Sequence, residues 1–179
     1  WVIDPLDGTV NFAHGVPVFA VSIGCRQGKD RLFGVVYQPI TQEIFIAEKG
    51  SGAFYNGKKM QVSAVDQVKK SILATGFPYN LQVNPYGCFE KFFAILKQGI
   101  PVRRIGVASI DLAYVAAGKF DGFFEITLQP WDMAAGLLLI EEAGGRVSDW
   151  EGKALDIDSN QPILVSNSHL HGELQKILA

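Results

Sequence analysis

Asp4 and Asp7 stand three residues apart in the run Asp4-Pro5-Leu6-Asp7-Gly8-Thr9-Val10-Asn11-Phe12. The run follows the apolar pair Val2-Ile3, so it lies where a strand ends and a turn begins. Pro5 fixes its own φ and pushes Asp4 towards an extended conformation. Asp7-Gly8 is a turn-forming pair. Two carboxylates three residues apart across such a bend can face one small volume, and the Leu6 carbonyl can join them. Hard oxygen donors of this kind suit Mg²⁺. Beyond the bend, Thr9 to Phe12 can open a helical turn. Gly8 carries no Cβ, so an anion can approach its backbone. The N–H groups of Gly8 and Thr9 would then face a phosphate oxygen at a helix start. Cation ligands followed by an anion cradle make one chemical unit. Two cations roughly 3.5–4 Å apart stabilise both the attacking and the leaving oxygen of an in-line displacement.

Other residues admit two readings. Asp132 precedes an apolar helical run and, taken alone, reads as a helix N-cap. Thr9 either caps the short helix or offers its hydroxyl to chemistry. Glu125 ends the strand-like stretch Phe123-Phe124-Glu125. A carboxylate there is either solvated or, beside a metal site, an acceptor for sugar hydroxyls. His169 and His171 lie two apart, not at the spacing of a helical metal pair, and no Ser/His or Cys/His pairing signals a covalent nucleophile. Glu141-Glu142 read as a solvated helix edge, and Phe89, Phe92 and Phe93 as core or subunit interface.

Composition narrows the classes. The chain has 179 residues, 48% of them hydrophobic, which is enough for a sizeable core. The length suits one domain. Net charge is −2 with acids and bases well mixed, and no basic stripe interleaved with aromatics suggests nucleic acid. No apolar run approaches the roughly eighteen residues needed to span a bilayer. Cys25 and Cys88 lie far apart and form no metal-ligand spacing, so free thiols in a reducing cytoplasm are expected.

The elements that must position these residues fall into two groups. Residues 16–24, 31–38, 43–48 and 51–55 read as strands with no helix between them, which predicts an antiparallel sheet. From Ser71 the pattern alternates. Strands are expected at 71–76, 100–105, 120–126 and 163–166. Helices are expected at 89–97, 109–117, 132–143 and 170–178, the third stopped by Gly144-Gly145. A loop is expected at 77–80. Such alternation predicts a mixed, partly parallel sheet covered by helices. The whole, 1–179, reads as one unit, with 1–70 as the first sheet and 71–179 as the second.

The run from Asp4 to Phe12 resembles the first signature of the inositol monophosphatase family, which belongs to the Mg²⁺-dependent, lithium-inhibited sugar phosphatases. Trp131-Asp132-Met133-Ala134-Ala135-Gly136, followed by Glu142-Ala143-Gly144-Gly145, resembles the second. The resemblance covers essentially the whole chain and implies an α/β (α+β) fold, the layered αβαβα sandwich. It implies two or three Mg²⁺ ions, one held by Asp4, Asp7 and Asp132 and another by Asp4 and the Leu6 carbonyl. It gives Thr9 the task of orienting the attacking water, with Asp7 beside it. It assigns phosphate to Gly8 and Thr9, and the alcohol half of the substrate to Asp7, Ala108, Glu125 and Asp132. Many relatives carry a small hydroxyl residue where Val107 stands. Family members also carry a front segment with a glutamate ligand and helices that cover the first sheet, so this chain reads as the C-terminal two-thirds of such a protein.

The expected function is therefore hydrolysis of inositol monophosphate, or a similar polyol phosphate, by in-line attack of metal-activated water. A cytoplasmic homodimer without nucleic-acid or membrane partners is expected. Thr75-Gly76-Phe77-Pro78-Tyr79 looks more like bacterial inositol phosphatases than like other branches. Fructose 1,6-bisphosphate, histidinol phosphate or an adenosine bisphosphate are alternative substrates. A non-catalytic dimerising scaffold is the alternative of another class.

Overall fold

A computed structural model describes residues 1–78 and 81–178. Tyr79 and Asn80, in the loop expected at 77–80, lie outside the described residues.

The first part is a meander. β1 (Val2–Asp7) leads into the short helix α1 (Thr9–Ala13), then β2 (Ala20–Gln27), β3 (Asp30–Gln38), β4 (Glu43–Glu48), β5 (Gly52–Tyr55) and β6 (Lys58–Lys59). They pair in sequence order, every neighbour antiparallel. Strand alternation gives the sheet two faces. Ala20, Val36, Phe45, Ala47 and Ala53 face the core. Val21, Ile23, Phe33, Val35, Ile44 and Ile46 alternate with them and are half-buried.

The second part contains β7 (Leu73–Thr75), α2 (Cys88–Lys97), β8 (Val102–Arg103), α3 (Ala108–Ala116), β9 (Gly122–Glu125) and α4 (Pro130–Glu142). β10 (Gly145–Ser148), β11 (Ile163–Asn167) and α5 (His171–Leu178) complete it. The sheet order is β10-β11-β9-β7-β8. β7 runs parallel to both β8 and β9, whereas β11 is antiparallel to β9 and β10, so this sheet is mixed as expected.

Alternation also separates the faces of the second sheet. Ala74, Phe123, Ile163 and Val165 pack with α3 and α4. Leu73, Phe124 and Leu164 pack with Ile95 of α2 and Leu174 and Leu178 of α5. Helices α3 and α4 therefore lie between the sheets, and the described residues form four layers, β-α-β-α. Among the described residues no helix covers the outer face of the first sheet. α4 is buried from Met133 to Ile140, as a helix apolar on all sides must be. It lies directly on the first sheet because β2 and β3 present glycines. A Cβ at Gly24 would fall 2.7 Å from the Ala134 Cβ, and one at Gly34 2.9 Å from the Ala135 carbonyl oxygen.

Several boundaries differ from the sequence reading. The strand expected from Val16 starts at Ala20, because Val16 and Val18 spend their N–H groups on the Asn11 and Val16 carbonyls and Pro17 has none to give. β1 runs through the signature to Asp7 rather than ending at Ile3. The sequence pattern does not signal β10, because Val147 is its only large apolar residue. Glu141 is exposed and Glu142 half-buried, a solvated helix edge as expected, and both have partners. Glu141 pairs with Arg31, and Glu142 accepts the N–H groups of Gly50 and Gly52 at 2.8 and 2.9 Å.

Candidate active site

On a regular strand, side chains three apart point to opposite faces. The β1–β2 register shifts between Asp4 and Asp7, and this irregularity turns both carboxylates towards one side. The Asp4 Oδ1 accepts the Leu6 N–H at 2.9 Å. Gly8 follows at φ +86°, the left-handed conformation that lets the chain leave β1 and enter α1 at once. A Cβ at Gly8 would fall 2.7 Å from Val107 Cγ2, so the loop before α3 packs against this turn. Asn11 ties the same two loops by donating to the Val18 and Ile105 carbonyls at 3.0 and 3.1 Å.

Asp7 is nearly buried, and the start of α3 holds it. The Ser109 N–H and Oγ both donate to Asp7 Oδ2, at 2.8 and 2.6 Å. Asp132 comes from the first turn of α4. It is not the N-cap. That position belongs to Gln129, whose N–H donates to Asp132 Oδ2 at 2.8 Å in a capping box, with Pro130 opening the helix. The Ser22 hydroxyl anchors this end by donating to the Trp131 carbonyl at 3.2 Å. Asp4, Asp7 and Asp132 each bring one carboxylate oxygen within 4.8 Å of the others.

The cluster sits in a cleft of about 730 Å³. Leu6, Gly8, Thr9, Ala108 and Glu125 line it as well, so the cleft gathers every site residue singled out in the sequence. Thr9 is the first residue of α1 and Gly8 its N-cap, so Thr9 does not cap that helix. The three histidines do not line this cleft. His171 is buried between the hydroxyls of Ser148 and Ser166.

Charge is crowded here. Burial, then repulsion from Asp132, pushes the Glu125 carboxyl up to about 8, with Arg104 opposing. Burial also lifts Asp132 to about 7; the Gln129 N–H opposes this, and Asp7 and Asp4 add to it. Asp7 is raised by burial against the pull of its Ser109 hydrogen bonds, and Asp4 raises it further. Converging carboxylates that raise one another's pKa are relieved by a shared cation. The donor set is all hard oxygen, which fits Mg²⁺.

The family model for inositol monophosphatases matches residues 1–179. The chain belongs to the inositol monophosphatase family. It is 52% identical over 155 residues to the Nus factor SuhB of Pseudomonas aeruginosa, covering 85% of this chain and 57% of that protein. It is 41% identical over 178 residues to an inositol-1-monophosphatase of Rhizobium meliloti, covering 99% of this chain and 66% of that one. Among solved structures, the inositol monophosphatase of Anabaena superposes with a TM-score of 0.95 at 40% identity, covering 99% of this chain and 70% of that chain. The chain thus spans 57% and 66% of the length of these two sequence relatives.

Some residues of this cleft carry no functional signal in the sequence. Ser109 is signalled only by its place after Ala108. Arg104 and Asp111 line the cleft but look in sequence like a surface base and a helix-start acid. Thr127, also in the cleft, sits at φ +58°, a strained conformation for a β-branched residue that no sequence pattern announces.

Proposed function

We propose that the protein is a Mg²⁺-dependent phosphomonoesterase of small polyol phosphates, above all inositol monophosphate. One observation carries this reading. Three carboxylates converge in a cleft that also presents Glu125 and the backbone at Ala108. The names of the Rhizobium meliloti and Anabaena relatives support it.

Asp4, Asp7 and Asp132 would hold one Mg²⁺, and Asp4 with the Leu6 carbonyl a second; the family pattern admits a third. Bound there, the ions lower the pKa of water and stabilise charge on the leaving oxygen. The chain's own residues do the rest. Gly8 and Thr9 orient the phosphate through their N–H groups, and the Thr9 hydroxyl aims the attacking water. Ser109 holds Asp7 in place. Glu125, Ala108, Asp7 and Asp132 face the alcohol half of the ester. Water's oxygen bonds to phosphorus as the ester P–O bond breaks, and the departing alkoxide takes a proton from water.

The test is phosphate release from inositol monophosphate by the complete protein, titrated with Mg²⁺ and then with Li⁺. Mg²⁺-dependent, lithium-inhibited turnover is expected, and none from Asp7→Asn. Turnover that is indifferent to Mg²⁺ would sink the reading.

A cytoplasmic homodimer belongs to the same reading. Cys25 and Cys88 are free thiols, in keeping with a reducing compartment. Among the described residues no helix is long and apolar enough to cross a membrane. Phe89, Phe93 and Leu96 are exposed at helical spacing along α2, a face suited to a second copy. A second reading, a role like that of the Pseudomonas aeruginosa Nus factor, rests on the 52% identity. It gains if the complete protein proves inactive.

A further inference from the structure

Asp111 is a carboxylate that the proposed reaction leaves without a task. It stands one turn after Ala108 in α3, on the helix side that faces the cleft, and it lines that cleft. Its side chain is buried, with 1% of the residue exposed. Its Oδ1 is the buried side-chain oxygen that finds no hydrogen-bond partner among the described residues. Nor is Asp111 a member of the three-carboxylate cluster. Burial pushes its carboxyl well up, Glu125 and Asp7 push it further, and only Arg104 pulls the other way.

A buried carboxylate without a partner is costly to the fold. Such a group persists where an incoming ligand supplies what the protein withholds. A metal is not the ligand that Asp111 awaits, because the cation cluster forms without it. A phosphate dianion offers only acceptors, whereas an acceptor oxygen of Asp111 needs a donor. A neutral hydroxyl fits, because it can donate to the carboxyl group where it lines the cleft.

We propose that Asp111 binds a hydroxyl of the substrate's alcohol half beside Glu125, and so sets the preference for a ring bearing several hydroxyls. This rests on the polyol-phosphatase reading and goes one step further. Glu125 and Asp111 form a two-carboxylate acceptor for the ring, and Arg104 offsets their charge. A phosphate ester whose alcohol carries no further hydroxyls bypasses Asp111 altogether.

The experiment compares the complete wild-type protein with Asp111→Asn, at saturating Mg²⁺, on myo-inositol 1-phosphate and on p-nitrophenyl phosphate. Replacing one of the two acceptor oxygens by an NH2 group, which cannot accept, should lower kcat/KM for the inositol ester roughly 10- to 100-fold. The same ratio for the aryl ester should stay within about twofold. Inhibition by free myo-inositol should weaken in parallel. The melting temperature without substrate should not fall, because Oδ1 has no internal bond to lose. Should Asp111→Asn fail to fold, Asp111→Ser is carried through the same assays. Equal losses on both esters, or no loss on either, overturn the assignment while leaving the phosphatase reading intact. A wild-type protein that cleaves only the aryl ester overturns both.

Discussion

Ser109 gives both its N–H and its hydroxyl to a single oxygen of Asp7, at 2.8 and 2.6 Å. The two residues are 102 positions apart. One ends β1 and the other begins α3, so the pair joins the first sheet to the central helices at the site itself. Asp7 is also an anion at a helix N-terminus, which the helix dipole favours. One carboxylate oxygen of Asp7 also lies within 4.8 Å of an oxygen of Asp4 and of Asp132.

Ser109→Ala removes one of these two bonds and keeps the other. Partners that orient a metal ligand typically contribute 10- to 100-fold to affinity or activity. Activity of the complete protein should fall by about that factor, and the Mg²⁺ concentration for half-activation should rise. Unchanged Mg²⁺ dependence would show that the backbone N–H alone positions Asp7.

Asp7→Asn keeps the shape of the side chain and removes its charge. The amide still accepts from Ser109 through its oxygen, so the fold should hold. Turnover should be almost abolished. Phosphate release and a melting curve, measured together, separate the two effects. Activity near the wild-type level would remove Asp7 from the cation site.

Thr9→Ala addresses the hydroxyl at the start of α1. Gly8, not Thr9, is the N-cap, and Thr9 is exposed, so the substitution should cost little stability. If the hydroxyl aims the water, kcat should fall roughly 10²- to 10⁴-fold. An unchanged kcat would reduce Thr9 to a contributor of backbone N–H.

The residues that gather in the cleft were legible in the sequence. Asp4, Asp7 and Gly8 lie in one short run whose turn chemistry is local, and Asp132 sits at the head of an obvious apolar helix. Antiparallel and mixed sheets were legible because strand follows strand before Ser71 and alternates with helix after it. Long-range relationships were not legible. No local pattern says that Ser109 reaches Asp7, or that Asp111 points into the cleft rather than out of α3. The β1 irregularity that turns Asp4 and Asp7 to one side is likewise set by pairing with β2 and not by propensity. β10 is silent in the sequence because an edge strand with one large apolar residue carries almost no period.

His171 makes stability depend on pH. Burial first, and the charge of Arg146 second, lower its imidazole from 6.5 to about 4. The unfolded chain therefore takes up a proton below about pH 6.5 that the native state refuses until about pH 4. Across that window the unfolded state binds more protons, so stability falls as pH falls. The full shift is worth about 3 kcal/mol by pH 4. Urea denaturation at several pH values should show this slope, and His171→Gln should flatten it even while lowering stability overall. A slope that survives in His171→Gln would assign the effect to other groups.

The outer face of the first sheet leads to the last prediction. Val21, Ile23, Phe33, Val35, Ile44 and Ile46 are half-buried there, and Ile3 is 51% exposed. Contiguous apolar surface of this kind on a free polypeptide binds hydrophobic dyes and self-associates. Residues 1–179 should therefore scatter light and bind such a dye. Val35→Lys places a charge in the middle of this face, between Ile23 of β2 and Ile46 of β4, and should lower both signals. If dye binding stays at its original level, the surface that the dye finds lies elsewhere, and the exposed Phe89, Phe93 and Leu96 of α2 become the face responsible.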